Sequence, residues 1–196
     1  MAESLHTRPS LLMRLRDPQD QEAWRTFLDL YAPLIYGFGR KSGLQDADSA
    51  DLTQIVLQAV SSSIGRLDYE PAKGTFRGWL FGVARNQLSK WRRAQRQPQG
   101  TGDTENLEQL AAHPAPDGVA DWWETEYKRQ RFLVAAQRVR PQVNEDAWHA
   151  FWQTAVEGRP ASDVAAELKV KLGALYTAKS RVLALIKKEI QTLVEE

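Results

Sequence analysis

Aromatic and basic side chains alternate along the chain between Tyr69 and Arg96. Aromatic faces stack on unpaired bases and basic side chains neutralise phosphates, so this composition is typical of a surface that binds single-stranded nucleic acid. The apolar members could equally be core residues, with arginines that extend past them to solvent. The basic members are harder to explain in that way, because Ala72 to Gln97 holds seven Lys or Arg residues and no acid. Like charges at this density repel one another unless a polyanion or an acidic partner is bound, and the segment therefore predicts phosphate binding.

A second basic stretch runs from Arg159 to Lys188, with seven Lys or Arg residues against two acids. Its apolar and small residues fit two short helices that cross around a tight turn, which predicts a helix-turn-helix. The second helix would bury its apolar stripe and present an outward face able to read duplex DNA, although a solvated face of an ordinary bundle remains the alternative. The turn position often filled by glycine is Lys169, where a left-handed backbone would be strained. The predicted duplex-reading residues are Lys171, Gly173, Tyr176, Thr177, Lys179, Ser180 and Arg181.

The elements that must position these residues all read as helices, because apolar residues recur at helical spacing and no useful β-alternation occurs. Pro33 predicts a kink or break in the first long helix, and Asp46, Asp48 or Ser49 are available as caps for the next one. That second helix is predicted to bury Leu52, Ile55, Val56, Ala59, Val60 and Ile64. Further helices are predicted over 75–96, 122–139, 145–156, 161–168 and 173–194.

The predicted fold class is all-α, with two small helical domains joined by a flexible acidic linker. The linker is predicted from its content of Pro, Gly and acid and from its lack of sustained periodicity. The predicted organisation is an N-terminal tail and helix start over 1–20, a first helical domain over 21–96, the linker over 97–120, and a helix-turn-helix domain over 121–196.

The amino-acid composition argues against several classes of protein, including metalloproteins, nucleotide-binding enzymes and membrane proteins. The 196 residues contain no cysteine and three histidines without metal-ligand spacing, and no glycine-rich phosphate-binding motif occurs. No catalytic residue, metal or cofactor is therefore predicted, and the protein is not expected to be an enzyme. No apolar run approaches the roughly 18 residues of a membrane span, so we expect a cytoplasmic protein without membrane insertion. The net charge of +1 conceals the two basic stretches, which an acidic segment separates.

Three strings occur in one order along the chain. They are DADSADLTQIVLQAV over 46–60, GTFRGWLFGVARNQLSKWRR over 74–93, and VAAELKVKLGALYTAKSRVLALIKKEI over 164–190. Together they resemble bacterial RNA polymerase sigma factors of the extracytoplasmic-function (ECF) group of the sigma-70 family. The resemblance covers roughly 21–96, the second conserved domain of that family (region 2), and 121–189, its fourth (region 4).

The resemblance implies a transcription initiation factor that binds core RNA polymerase, recognises the minus-10 and minus-35 promoter elements and assists promoter melting. The implied partners are the clamp of the largest polymerase subunit, the flap of the second subunit, and promoter DNA as duplex and as melted strand. It leaves open whether an anti-sigma factor also binds. The sequence departs from the family pattern at Ser89, where an acid is common, and at Lys169 and Leu172 in the turn.

The resemblance also assigns roles to single residues. Minus-35 contacts are implied for Lys171, Gly173, Tyr176, Thr177, Lys179, Ser180 and Arg181. Core-polymerase contacts are implied for Asp48, Asp51, Gln54, Leu57 and Gln58. Minus-10 contacts are implied for Tyr69, Lys73, Phe76, Arg77, Trp79, Arg85, Asn86, Lys90, Arg92 and Arg93.

Two other functions fit parts of this pattern. A polymerase-independent helix-turn-helix regulator would ordinarily be a dimer that reads a palindrome. An adaptor whose tryptophan-rich second domain binds only proteins would show no DNA affinity from either basic stretch. A stoichiometric complex with core polymerase would distinguish the sigma factor from both.

Overall fold

A computed structural model of the protein describes residues 11–67, 75–96 and 118–193, except the side chains of Gln95 and Arg96. Besides the α-helices, the described residues contain two 3₁₀ turns, Ile64–Arg66 and Arg140–Gln142, and one π-helix, Trp152–Val156. Within these ranges every regular element is helical, which confirms the predicted all-α class. The helices are α1 Leu11–Leu15, α2 Gln21–Lys41, α3 Asp46–Ser63, α4 Phe76–Arg96, α5 Val119–Val139, α6 Glu145–Phe151, α7 Ala161–Glu167 and α8 Leu172–Thr192.

Helix α2 continues through Pro33, so the predicted break there is wrong, whereas the alternative of a kink stays a prediction. A proline inside a helix removes one backbone hydrogen bond and leaves the carbonyl of the residue four positions earlier without its partner. Both Pro33 and Asp29, which carries that carbonyl, lie on the exposed side of the helix, where water can satisfy it. On the opposite side Phe27 and Tyr31 are fully buried, so tertiary packing offsets the loss.

Helix α3 begins differently from the prediction. Its N-cap is Gln45, whose side chain makes no capping hydrogen bond, and Asp46 and Asp48 lie inside the first turn. There the two carboxylates favour the helix through its dipole rather than as caps. Ser49 is fully buried against α2, where a Cβ added to Gly39 would lie 3.0 Å from its hydroxyl oxygen. A small residue at position 39 therefore allows α2 and α3 to approach closely.

The described residues divide into two compact units between Gln130 and Arg131, within α5. The first unit contains α1 to α4 and the N-terminal half of α5. In it the Tyr127 ring stacks on Tyr31, with centroids 5.6 Å apart, and the Trp123 ring lies 5.9 Å from Phe38. The N-terminal half of α5 thus completes the core of the first unit. The predicted domain bounds stay a prediction.

The second unit contains the rest of α5 and α6 to α8. Its centre between α6, α7 and α8 is built from small and aliphatic residues, which lets short helices approach closely. Arg138 pairs with Glu189 at 3.1 Å and joins α5 to α8. The buried cluster consists of Ala150, Val164, Ala165 and Leu175, with Ala161, Leu168 and Ala178 packed against it.

The turn between α7 and α8 has the strain that the sequence predicted. Lys169 has φ of 55°, the left-handed region that favours glycine. Its N–H donates to the carbonyl of Ala166 at 3.2 Å, and the N–H of Val170 donates to that of Ala165 at 3.0 Å. These two bonds form a Schellman motif, which ends α7 with its last carbonyls satisfied.

We expect Lys169→Gly to stabilise the second unit by about 0.5–1 kcal/mol, because relief of the left-handed strain exceeds the entropy that glycine adds to the unfolded chain. Lys169→Ala is the matched control, since it removes the same charge but keeps a Cβ at the strained position. Hydrogen–deuterium exchange of α7 and α8 amides in the full chain measures the difference. Equal exchange in the two variants would show that backbone strain does not limit stability here.

Candidate nucleic-acid interface

Helix α4 carries the first predicted site, and its aromatic residues differ in exposure. Phe76 is buried in the core, with its ring centroid 6.2 Å from that of Phe27. Trp79 is half-buried and lies 5.3 Å from Phe76, ring to ring. Trp79 is therefore partly accessible to a ligand, whereas the buried Phe76 packs against it from the core.

Two of the predicted basic contacts on α4 already have aromatic neighbours. The Arg77 guanidinium lies 4.7 Å above the Tyr127 ring, and its Nε is 3.5 Å from a carboxylate oxygen of Glu124. Arg85 lies 5.7 Å from the ring of Phe81, and partial burial lowers the pKa of its guanidinium. DNA that contacts Arg77 in this arrangement has to compete with Glu124.

Asn86 is buried, with only 2% of its surface exposed. Within the described part of the chain, neither its side-chain nitrogen nor its oxygen has a hydrogen-bond partner. A buried amide without partners costs about 1–3 kcal/mol, so its presence requires an explanation, and a functional role is one of them. Sequence patterns did not indicate this burial, because Asn is ordinarily a surface residue.

The C-terminal turns of α4 are exposed and basic. Lys90, Arg92 and Arg93 are all exposed, and Arg92 also donates a hydrogen bond to the carbonyl of Ser42 at 2.5 Å. We call these three residues the α4 basic end. Two further residues predicted for the same site, Tyr69 and Lys73, lie outside the described residues.

The outward side of α3 is the second predicted site. Asp51, Gln54 and Gln58 are exposed, whereas Asp48 and Leu57 are only half-buried. Ile55, which the apolar pattern assigned to the core, is 38% exposed, so that prediction is wrong. We call Asp51, Gln54, Ile55 and Gln58 the α3 outer face.

The misplacement of Ile55 has a geometric cause. Leu52, Val56 and Val60 follow one another at four-residue intervals and define the buried line of α3. Ile55 precedes Val56 by one position, which on a helix is a rotation of about 100° away from that line. A single exposed apolar side chain is ordinary on a surface, but one surrounded by polar side chains also suits the apolar centre of a small docking surface.

The third predicted site is the N-terminal half of α8. Leu175, Val182 and Ile186 are buried, as predicted from their spacing. The outward residues are exposed, apart from the half-buried Lys179. No side-chain cap closes the start of α8, so its first backbone N–H groups are free of a capping side chain and suited to a phosphate. The exposed residues are Lys171, Gly173, Tyr176, Thr177, Ser180 and Arg181.

A cleft of about 610 Å³ lies beside this surface, between α6, the turn after α7, and α8. Its lining includes the buried Ala150 and Leu175 as well as Asp146, Thr177 and Arg181. Thr177 and Arg181 thus belong both to the predicted duplex-reading surface and to the cleft. The cleft could not be predicted from the sequence, because residue pattern and spacing do not report the space between helices. No group of three acidic or histidine residues suited to a metal ion occurs within 11–67, 75–96 and 118–193.

Residues 27–97 match the family model described as Sigma-70 region 2. The chain is also similar to a curated protein named ECF RNA polymerase sigma factor RpoE, from Cereibacter sphaeroides, with 29% identity over 90 residues. The similarity to Sigma-70 region 2 thus lies in the first unit, and the similarity to an ECF sigma factor extends over about half of the chain. The similarity covers 46% of this chain, and the chain spans about half of the length of that relative.

The Sigma-70 region 2 match contains the whole of α3 and the whole of α4. It therefore includes the α3 outer face and the α4 basic end as well as Asn86. It ends at residue 97, before α5 and α8. No helix in the described part of this chain has the length and hydropathy of a bilayer span.

Proposed function

We propose that the protein is a transcription initiation factor that binds core RNA polymerase, recognises promoter DNA and assists its melting in the cytoplasm. The observation that carries the proposal is that one family-matched segment presents both a mixed docking face on α3 and a basic end on α4. Catalysis belongs to the polymerase, and the role of this chain is to position DNA.

Core polymerase binds the α3 outer face through the clamp of its largest subunit. Ile55 supplies a compact apolar contact, and the surrounding carboxylate and amides supply directional hydrogen bonds. The negative charge of Asp51 favours a positively charged partner surface. The flap of the second subunit is the proposed partner of the second unit.

Promoter melting follows from a difference in binding. The α4 basic end neutralises phosphates of the displaced strand, and Trp79 offers a partly exposed ring for an unpaired base. Unpairing costs a few kcal/mol per base, and stacking of about 1–3 kcal/mol per base offsets much of it. The phosphate contacts are available in duplex and in melted DNA, but stacking on Trp79 is available only to an unpaired base, so this contact shifts promoter DNA toward the open state.

Helix α8 reads the upstream duplex. The exposed Arg181 can bond the acceptors of guanine, and Thr177 and Ser180 can bond a base edge, while Lys171 lies at the helix start beside phosphate. The turn and α7 position α8 as the first helix of a helix-turn-helix positions its recognition helix. The same exposed face also suits the alternative, a regulator that works without polymerase.

We expect Asp51→Arg combined with Gln54→Ala to weaken core binding about tenfold or more, because charge reversal inside a small interface leaves unpaired groups. Gel filtration of the full chain with bacterial core polymerase measures complex formation. Asp29→Arg is the matched control, since it makes the same charge change at an exposed position of α2. Binding of the double variant at the wild-type level would exclude α3 as the docking helix. No complex with the wild-type chain would favour the polymerase-independent regulator.

A further inference from the structure

Large apolar side chains are exposed at the start of α8. Seven large apolar residues are exposed in the described part of the chain, and three of them, Val170, Leu172 and Tyr176, lie within seven positions. Leu172 is 44% exposed and Tyr176 is 50% exposed. A single exposed leucine is ordinary, but a cluster at the tip of a basic surface requires a partner that is apolar at that point.

The geometry places two of these residues in one row. Leu172 and Tyr176 are four positions apart and therefore neighbours on the helix, and Ser180 continues the row. The adjacent row contains Gly173, Thr177 and Arg181, of which Thr177 donates its hydroxyl to the carbonyl of Gly173 at 3.0 Å. One row is thus apolar at its start, and the next is polar.

Charge determines which partner fits. Between Arg159 and Lys188 the chain has seven basic residues and two acids, and Lys169 and Lys171 flank the apolar start of α8 directly. A surface that attracts phosphates and has a helix of exposed side chains at its centre suits the major groove of duplex DNA. An apolar protein partner would instead leave these lysines unpaired or buried.

Only one base presents an apolar group in the major groove, namely thymine with its 5-methyl. Leucine has no polar atom to bond any other base edge, and a leucine pressed against one would desolvate it without compensation. We therefore propose that Leu172 and Tyr176 read thymine 5-methyl groups, and that they make the protein select thymine in its upstream element. The inference rests on the proposed duplex-binding role of α8.

The experiment compares thymine with deoxyuridine, which pairs in the same way but lacks the methyl. The full chain with bacterial core polymerase first selects duplexes from a library with a randomised upstream segment. Each thymine of the selected upstream element is then replaced by deoxyuridine, and affinity is measured by competition. We expect at least one replacement to weaken binding about fourfold, the equivalent of ~0.8 kcal/mol for a buried methyl group.

Variants identify the residues that sense the methyl. In Leu172→Ala or Tyr176→Ala, the thymine duplex should bind more weakly and the same deoxyuridine replacement should have no further effect. Leu28→Ala is the matched control, because Leu28 is 41% exposed on α2, and it should keep the full deoxyuridine effect. Lys171→Ala should weaken both duplexes equally through loss of a phosphate contact.

The outcomes separate this inference from the proposed function. An upstream element without thymine, neutral deoxyuridine replacements, or a deoxyuridine effect that persists in both α8 variants would overturn methyl reading and leave duplex binding by α8 intact. Failure to select any upstream duplex, or selection unchanged by every α8 variant including Lys171→Ala, would overturn the duplex-binding role itself.

Discussion

Trp123→Ala is expected to lower the free energy of unfolding of the first unit by about 3–5 kcal/mol, the range typical of a buried tryptophan replaced by alanine. The Trp123 side chain is 1% exposed and contacts two rings of the unit, with its centroid 5.2 Å from that of Phe81 and 5.9 Å from that of Phe38. Removal of the indole leaves a cavity that the rings of Phe38 and Phe81 cannot fill, because the helices that carry them are held in place by other core contacts. Urea unfolding of the full chain, followed by hydrogen exchange in α2 and α4 peptides, measures the loss.

Two further variants keep this test informative even if the alanine variant does not fold. Trp122→Ala removes a neighbouring, half-buried indole and should cost less. Trp123→Phe keeps an aromatic ring, and it also removes the buried indole N–H, which has no hydrogen-bond partner among the described residues. It should therefore cost less than the alanine substitution. If exchange in α2 and α4 is unchanged in Trp123→Ala, the N-terminal half of α5 does not stabilise the first unit.

This contribution of α5 could not be predicted from the sequence. Periodicity shows which side of a helix is buried, but not which element covers it. The acidic segment before Gly118 separates α5 from α4 along the sequence. Proximity along the chain therefore grouped all of α5 with the later helices, whereas the ring contacts of Trp123 and Tyr127 join its N-terminal half to the first unit. The positions of the long helices, in contrast, followed from apolar spacing to within a few residues.

Local conformation was predictable where a single residue type decides it. The left-handed backbone at Lys169 followed from its place in the turn, and the exposed side of α8 followed from the spacing of its buried residues. Ile55 was misplaced because an apolar residue at the edge of a stripe fits either side. Asn86 was assigned to DNA without any sign that its amide is buried, since burial of a polar group depends on the packing of other elements.

Asn86→Leu is expected to make the first unit about 1–3 kcal/mol more stable, while promoter opening falls. The gain in stability follows from the buried amide, whose nitrogen and oxygen have no partner in the described part of the chain. A leucine of similar size removes that desolvation penalty and adds apolar contact. The loss of function follows from the proposed minus-10 role of Asn86, because a leucine cannot pair with an unstacked base once DNA binding has made the buried position accessible. Gln87→Leu, at the adjacent half-buried position, is the matched control and should change neither property much.

Permanganate footprinting with core polymerase compares opening on a duplex promoter and on one with a pre-melted bubble. The bubble supplies the unpairing energy in advance but not the contact to the extruded base, so it should restore opening by Asn86→Leu only in part. Higher stability with normal opening would show that the amide is a tolerated defect of packing rather than a base contact. Lower stability would show that the amide is satisfied in the native protein. Stability and promoter opening depend on different properties of the Asn86 side chain. A variant that is more stable but opens less DNA would therefore show that Asn86 serves binding at a cost in folding stability.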